Sequence, residues 1–327
     1  MKIFRFFFTS KQYQFLLLLS SLLMINSCSK ETKFLVAFSQ CNSAEPYRAA
    51  QNKLMSKLFS NYKDIKLVIS DAQQDNSKQI AQIETFIRQK PDLLIVAPNE
   101  RAPLTNIMGE AIKAGIPTIC LERDILEPNY TTYIRCDNFK IGQAAGEFIV
   151  NHLTKKYGEP RGKIVEIRGL LGVEGEINRY NGAHQFFDKY PKIEVIHEAV
   201  ADWLQSKGRE RMIEILRVQD KIDVVYGHND PMAIGAYIAA KEVGREKEMI
   251  LVGIDGLGGK GGGIKKVIDG ILQATFNYPL CVDKAVELAT KILKEEGFSP
   301  PKTIIMESEM IIKKNAEEAY KKYSIVY

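Results

Sequence analysis

Several residue patterns are absent from this chain of 327 residues. Its five cysteines form no Cys-x-x-Cys pair and have no zinc spacing with the four histidines, so the sequence predicts neither a zinc site nor a redox motif. No run of basic residues alternates with aromatic residues. The first 27 residues hold three of the 45 basic residues and none of the 40 acidic ones, which leaves the remainder close to neutral. The charge therefore gives no reason to expect a nucleic acid partner.

Only one long apolar stretch occurs, and it lies near the N-terminus. "MKIFRFFFTSK" carries three positive charges, and Phe15–Ile25 is apolar except for two serines. Eleven residues are too few to cross a bilayer, which takes about 20, so the pattern predicts a secretory signal peptide over residues 1–27. "INSC" resembles a bacterial lipobox, which implies cleavage before Cys28, a lipid on its sulfur and a short linker over 28–32. The alternative is an ordinary secretory signal followed by an incidental cysteine.

The signal peptide predicts a location in the periplasm or cell envelope, with the lipid as the membrane anchor. In such an oxidising compartment any two of the remaining cysteines could pair, and the sequence does not indicate which. These cysteines are Cys41, Cys120, Cys136 and Cys281.

From residue 33 the chain alternates between strand and helix periodicity. The order βαβαβαβ, followed by a second similar set, predicts an α/β fold of two lobes, each a parallel sheet with helices on both faces. No Pro/Gly/Ser-rich linker separates the sets, and the short join at Tyr133–Asn138 suits a hinge. The predicted segments are 33–136 and 278–300 for the first lobe, 137–277 and 301–313 for the second, and 314–327 for a C-terminal tail.

Polar side chains follow the ends of the predicted strands. Ligands of open parallel sheets bind outside these carboxyl ends. Carboxylates and amides accept hydrogen bonds from hydroxyls, arginine donates two in a fixed fork, and aromatic faces cover the C–H face of a ring. The sequence therefore predicts a polyhydroxylated ligand and requires no cofactor. The strand-end residues are Ser39, Gln40, Asp71, Glu122, Arg123, Asn229, Asp230 and Asp255, with Arg179, Trp203 and Asn277 beside them.

A family resemblance rests on these residues and covers residues 33–313. "FSQCNSAEPYRAA", "LLIVAP", "LER", "CDN", "EIRGLLGVEGEINRYNG", "HNDPMAIGA" and "VGIDG" occur in one order. The chain resembles the ribose-binding type of periplasmic binding protein, which serves bacterial ABC importers, and within it the galactofuranose-binding proteins. The shared aromatic–arginine pair is Tyr47-Arg48. Glu122 stands where the family usually has Asp, and Trp203 where ribose binders more often have Phe.

This resemblance implies a type I periplasmic binding protein fold that closes about a hinge. It also implies a monomer without enzyme activity, which delivers a pentose or hexose, with a furanose ring as one option, to a membrane ABC permease. The implied sugar contacts are Ser39, Tyr47, Arg48, Glu122, Arg123, Cys136, Arg179, Trp203, Asn229, Asp255 and Asn277.

Other interpretations of the same residues stay open. Arg123 could form a strand-end salt bridge, Asp255 could cap a helix, and Tyr47, Trp203 and Cys136 could be core residues. Glu122 and Asp255 could form a glycosidase pair. Regulators of the LacI class share the two lobes but need an N-terminal helix-turn-helix. "SQCN", "LIVAPNE" and "GREKEMILVGIDG" also resemble the periplasmic sensor portion of hybrid histidine kinases of Bacteroidetes, so a sensor kinase is the alternative partner.

A glycine-rich stretch, "DGLGGKGGGIKK", contains G-x-G-x-x-G at Gly256, Gly258 and Gly261. A dinucleotide site would need an acidic residue at the end of the next strand, and "LQATFNY" has none. We therefore interpret the stretch as a mobile connector that lets Asp255 face the cleft.

Overall fold

Two separate six-stranded sheets organise residues 32–324, the part of the chain that the computed structural model describes. Their arrangement confirms the predicted α/β fold of two similar lobes. The predicted signal peptide and Cys28 lie outside the described residues. Within residues 32–324, no helix combines the length and apolar character needed to cross a membrane. Cys41, Cys120, Cys136 and Cys281 are all buried free thiols.

The first sheet has the strand order β11-β5-β4-β3-β1-β2, and all of its neighbouring strands are parallel. The short strand β3 is buried along its whole length because helices cover both faces of the sheet. The elements of the first pass through this lobe are β1 Phe34–Gln40, α1 Pro46–Phe59, β2 Ile65–Asp71, α2 Asn76–Gln89, β3 Leu93–Val96, α3 Arg101–Lys113, β4 Thr118–Leu121 and β5 Thr132–Cys136.

The second sheet has the order β12-β10-β9-β8-β6-β7, in which only the β10–β12 pair is antiparallel. Its elements are α4 Asn138–Tyr157, β6 Gly162–Arg168, α5 Glu174–Phe187, β7 Ile193–Val200, α6 Gln205–Val218, β8 Val224–Gly227, α7 Asp230–Glu242, β9 Ile250–Val252, α8 Gly263–Ile268 and β10 Ala274–Phe276. The remaining elements are α9 Val282–Lys294, β11 Thr303–Met306, β12 Met310–Ile312 and α10 Ala316–Ser324.

The C-terminal elements correct two expectations. Residues 301–313 do not all belong to the second lobe, because β11 pairs with β5 in the first sheet and only β12 joins the second. The apolar pattern "TIIMESEMII" runs through both strands, so it does not show where the chain changes sheets. The described part of the predicted tail is also not a loose segment, since it forms α10, which packs on α8.

The chain crosses between the lobes three times, at β5 to α4, at β10 to α9 and at β11 to β12. The predicted join at Tyr133–Asn138 is therefore the end of a strand and only one of three crossings. Two crossings are tied together, because the Asn277 amide donates to the Glu309 carbonyl at 2.9 Å and the Ser308 hydroxyl donates to the Asn277 carbonyl. From three connections between the lobes we expect bending to be easier than twisting.

Candidate functional site

A buried cavity lies between the lobes at the carboxyl ends of both sheets. In this closed arrangement the cavity holds about 20 Å³, room for about one water molecule, so the lobes must part before a larger molecule can enter. Every lining residue is buried, which means that a bound molecule would be largely shielded from water. The lining consists of Glu45, Tyr47, Arg48, Glu122 and Arg123 from the first lobe, Val173, Gly175, Arg179, Trp203, Asn229 and Asp255 from the second, and Tyr278 from a crossing.

The structure brings together eight of the eleven residues that the sequence predicts as sugar contacts. The other three do not line the cavity. Ser39 is buried and its hydroxyl accepts from Gln79 at 3.3 Å, while the Cys136 thiol lies 3.9 Å from the Pro279 carbonyl in the hinge. Asn277 is buried in a crossing, next to the residue that does reach the cavity. The structure therefore places these three residues behind the cavity lining rather than on it.

Glu45 and Tyr278 line the cavity although the sequence did not single them out. Tyr278 directly follows Asn277, which the sequence predicts as a contact near a strand end. The prediction thus points to the right place in the chain but to the neighbouring residue. Glu45 precedes the first helix, whose N-terminus carries the Tyr47-Arg48 pair. An acidic residue at the start of a helix is usual because it favours the helix dipole, so it did not stand out.

On the first-lobe wall, a buried ion pair joins Arg48 to Glu122 at 2.5 Å. The Tyr278 hydroxyl donates to the other Glu122 oxygen at 2.8 Å. Burial opposes ionisation of Glu122, but Arg48 and Arg123 outweigh it, so the pKa of this carboxyl is lowered. Glu122 is therefore a fixed carboxylate that can accept hydrogen bonds, rather than a proton donor.

Arg123 is held in place by the first lobe and faces the second. One guanidinium nitrogen donates to the Asn99 carbonyl at 2.9 Å, and the group lies 3.6 Å from Glu45 and 3.9 Å from Glu122. Its guanidinium carbon is also 5.8 Å from the centre of the Trp203 ring. Arg123 thus forms the strand-end salt bridge of the alternative interpretation and lines the cavity as well.

Arg179 is the corresponding cation of the second lobe. It donates to the Asn138 side chain at 2.9 Å and to the His228 carbonyl at 2.5 Å. Its guanidinium carbon lies 4.6 Å from the Tyr278 ring centre and 5.4 Å from that of Trp203. Both aromatic faces and both bonds fix its orientation, so little conformational entropy remains to be lost when a ligand binds.

Trp203 has an unusual backbone at the cavity wall. The φ angle is +48° at Asp202 and +70° at Trp203, so two consecutive non-glycine residues lie in the left-handed region. The indole ring lies so close to Gly169 that a β-carbon there would overlap it. Its Nε1–H is buried and has no hydrogen-bond partner among residues 32–324. The loop therefore carries an unpaired donor on a residue that lines the cavity.

Asp255 presents a free acceptor. Its Oδ2 is buried without a hydrogen-bond partner in the described part of the chain, and burial followed by the nearby Asp230 raises its pKa well above the usual range. Asp230 is satisfied by the Gly256 amide at 2.8 Å and the Thr275 hydroxyl at 2.7 Å, and burial raises its pKa to about 6. Asp255 does not cap α8, because the N-cap position of that helix is Gly262.

The glycine-rich stretch packs around Asp230 rather than around a ligand. A β-carbon at Gly253 or Gly263 would overlap the Asp230 carboxylate. The expected mobile connector is instead held in place, since the Gly259 amide donates to the Ser324 hydroxyl of α10 at 3.2 Å. In the stretch itself, Gly263 is required by its close approach to the Asp230 carboxylate, and Gly258 by its close approach to Tyr323 and Ser324 of α10.

The side-chain amide of Asn229 has protein partners for both its oxygen and its nitrogen. The Asn229 side chain accepts from the Met232 amide at 2.9 Å as the N-cap of α7, and donates to the Trp203 carbonyl at 3.0 Å. Asn229 therefore supports the Trp203 loop and also lines the cavity. The site as a whole offers fixed donors and acceptors with paired charges, which suits a neutral polyhydroxylated molecule.

Comparisons with known proteins agree with this geometry. Residues 36–297 match the family described as "Periplasmic binding protein domain". The galactofuranose-binding protein YtfQ of Escherichia coli K12 is 30% identical over 296 residues, which cover 88% of this chain and 90% of that protein. The ribose import binding protein RbsB of the same strain is 30% identical over 284 residues, or 85% and 90% of the two chains.

Solved structures show the same arrangement. The fructose-binding periplasmic domain of the hybrid two-component system BT1754 is 38% identical, with a TM-score of 0.83 over 90% of this chain and 95% of that one. A galactofuranose-binding protein is 29% identical, with a TM-score of 0.80 over 90% of this chain and 100% of that one. These relatives are binding proteins, so the glycosidase interpretation is wrong. From its sequence, its two lobes and its interlobe cavity, this chain belongs to the periplasmic binding protein family.

Proposed function

We propose that this protein captures one monosaccharide between its lobes, outside the cytoplasm, and delivers it to a membrane ABC importer. The observation that carries the proposal is a set of three buried polar atoms without partners in the described chain: Arg48 Nε, Trp203 Nε1 and Asp255 Oδ2. All three belong to residues that line one cavity. Unpaired buried polar groups are costly, and hydroxyls of a bound sugar would satisfy two donors and one acceptor at once.

The eight predicted contacts that line the cavity are the proposed sugar-binding residues, with Glu45 and Tyr278 added. On the first-lobe wall the charges are balanced within the protein, because two cations, Arg48 and Arg123, face two carboxylates, Glu122 and Glu45. An ionised ligand would disturb this balance, whereas a neutral sugar leaves it intact. The rings of Trp203 and Tyr278 supply apolar faces for the C–H side of a sugar ring.

Closure about the hinge provides the mechanism of capture. Across the cleft, the Gln74 side chain donates to the Asp202 carbonyl at 3.2 Å, and Arg123 approaches Trp203. Either lobe alone offers half of the contacts, so a sugar that binds one lobe gains the others only when the lobes close. Closure excludes water, which strengthens each hydrogen bond.

A second candidate function is sugar sensing for a histidine kinase. The observation in its favour is the 38% identity to a fructose-binding periplasmic domain of a hybrid two-component system, which exceeds the 30% identity to the importer proteins. The same cavity and hinge would serve either role, because an importer and a sensor kinase would both recognise the closed arrangement of the lobes. The proposed lipid anchor on Cys28 would hold the protein at the membrane in both cases.

A binding screen tests the proposal directly. Purified protein is titrated with fructose, ribose, galactose, arabinose and myo-inositol by calorimetry, and the sugar is recovered and analysed. We expect one sugar to bind at one molecule per chain and to return chemically unchanged. Failure of every neutral monosaccharide or polyol to bind, or turnover of the sugar above a blank, contradicts the proposal.

Transport and sensing are separated in the native cell. Deletion of the gene abolishes uptake of the labelled sugar if the protein delivers it to an importer. Under the sensor alternative, uptake persists at its uninduced level, and the transcriptional response to the sugar is lost.

A further inference from the structure

A second group of chemistry-bearing side chains lies in the second lobe, outside the interlobe cavity. Glu166 of β6, His184 of α5 and Glu198 of β7 place one ligand atom each within 4.8 Å of one another. Glu166 is fully buried, while the side chains of His184 and Glu198 are 13% and 38% exposed. An ion could therefore reach the group from solvent and be held against the sheet.

Neighbouring residues already orient the possible ligand atoms. Asp188 lies 3.2 Å from His184 Nδ1, which leaves Nε2 directed at Glu166 Oε2, 2.9 Å away. His228 Nε2 lies 2.8 Å from the other Glu166 oxygen. The Tyr180 ring stacks on the His184 ring with centroids 3.9 Å apart. Hydrogen-bonded outer partners of this kind accompany the ligands of most protein metal sites.

The local charge balance favours a cation. Four carboxylates surround one guanidinium, that of Arg168, which contacts Glu176 at 2.6 Å and Glu198 at 2.7 Å. Apart from its histidines, this region carries an excess of negative charge, part of it buried on Glu166. A buried carboxylate is stable when it is paired with a cation or bound to a metal. The four carboxylates are Glu166, Glu176, Asp188 and Glu198.

We propose that Glu166, His184 and Glu198 form a binding site for a divalent transition metal ion, with Zn²⁺ as the preferred ion. One imidazole nitrogen and two carboxylate oxygens are ligands that Zn²⁺ accepts, and three protein ligands leave a fourth position for water. Calcium and magnesium prefer sites made only of oxygen and bind more weakly here. Arg168 retains its contact with Glu176 when Glu198 turns to the ion.

The sequence did not predict this site because its ligands come from three separate elements. His184 and Asp188 are one helical turn apart, but Glu166 and Glu198 are 18 residues before and 14 residues after the histidine. Zinc motifs are recognised by short ligand spacings, and these spacings match none of them. Pairing of β6 with β7, which sets Glu166 opposite Glu198, brings the two carboxylates together.

The test uses the full mature protein, without a histidine tag and stripped with a chelator. Zinc is titrated by calorimetry and by competition with a chromophoric chelator. We expect one Zn²⁺ per chain, and we expect Glu198→Gln or His184→Gln to weaken binding by at least about 100-fold, since loss of an outer partner alone costs roughly 10–100-fold. Glu194→Gln, an exposed change on the same strand, and His152→Gln, which removes a histidine elsewhere, should bind zinc as the wild type does.

Two results would overturn the proposal: wild type that takes up no stoichiometric zinc, or equal binding by the Glu198→Gln and His184→Gln proteins. Melting temperatures show whether each variant is folded. If His184→Gln does not fold, Asp188→Asn replaces it, because Asp188 is exposed and contacts only the outer nitrogen of the ring. Asp188→Asn should then weaken zinc binding by about 10–100-fold, and unchanged binding would count against the site.

Discussion

At the scale of single residues, Asp255 gives the sharpest test of the sugar site. Its free oxygen is the unpaired acceptor of the cavity. We expect Asp255→Ala to weaken sugar binding about 5- to 150-fold, which corresponds to roughly 1–3 kcal/mol for leaving a buried sugar hydroxyl without its hydrogen-bond partner. Calorimetry with the sugar found in the screen measures the change. The unliganded melting temperature should not fall, because burial of this carboxyl is unfavourable in the absence of a ligand.

The matched control is a glycine of the adjacent loop. A β-carbon at Gly261 would meet nothing within 4 Å, so Gly261→Ala should retain wild-type affinity. Gly258 looks equivalent in the sequence, but its β-carbon would lie 2.7 Å from the Tyr323 carbonyl and disturb α10. If Gly261→Ala abolishes binding and Asp255→Ala does not, the loop itself holds the ligand.

The raised pKa of Asp230 predicts how the free energy of unfolding depends on pH. Its pKa in the folded protein is about 6, against an ordinary 3.8, so the folded chain binds a proton more tightly than the unfolded chain does. Proton binding to Asp230 therefore stabilises the folded protein fully below about pH 4, and this stabilisation is lost as the pH rises through 6. Asp230→Asn still accepts from the Gly256 amide and can donate to the Thr275 hydroxyl instead of accepting from it, and it should remove the part of this loss that Asp230 causes, of order 2–3 kcal/mol. Urea unfolding of both proteins at pH 4 and pH 7 measures the loss. If the difference in unfolding free energy between the two pH values is the same in Asp230→Asn as in the wild type, Asp230 is not its source.

At the scale of elements, two loops hold the site by direct contact. Gly169 follows β6, and the Trp203 ring, which follows β7, covers it without room for a β-carbon. Gly169→Ala should push the ring out of place and weaken sugar binding by about 5- to 150-fold, as expected for overpacking of roughly 1–3 kcal/mol. Calorimetry measures the affinity and tryptophan fluorescence reports the ring, the only indole of the chain. Wild-type affinity and fluorescence would show that the ring is not held there.

Most elements were predictable because apolar periodicity is a local signal. The buried strands "KFLVAFS" and "DLLIVAP" and the helices between them lie where the sequence places them. The helix α9 was not assigned, although its own apolar pattern is helical; the other elements missed were β5, β11, β12 and α10. These other elements form only through contacts with segments that are distant in sequence. For example, Thr303 of β11 pairs with Tyr133 of β5, and α10 packs on α8. The same limit applies to the site, where Arg48 and Glu122 were predicted one by one, but the ion pair between them required the fold.

At the scale of the whole molecule, the three crossings predict bending of one lobe against the other. Sugar should lower the radius of gyration measured by small-angle X-ray scattering, because closure brings the lobes together. The Asp255→Ala protein should show no decrease at a sugar concentration that saturates the wild type but not the variant. Binding of sugar to the wild type without any decrease would mean that the cavity fills without hinge motion.

The position of β11 also constrains the order in which the protein can be made. The first sheet begins with β1 at Phe34 but lacks its sixth strand until Thr303–Met306 has emerged from the ribosome or the export channel. Neither lobe is a continuous segment, so the usual sequence in which an N-terminal domain folds first does not apply. Nearly the whole chain must be released before either sheet can gain its last strand, so completion of both lobes is a late event in folding.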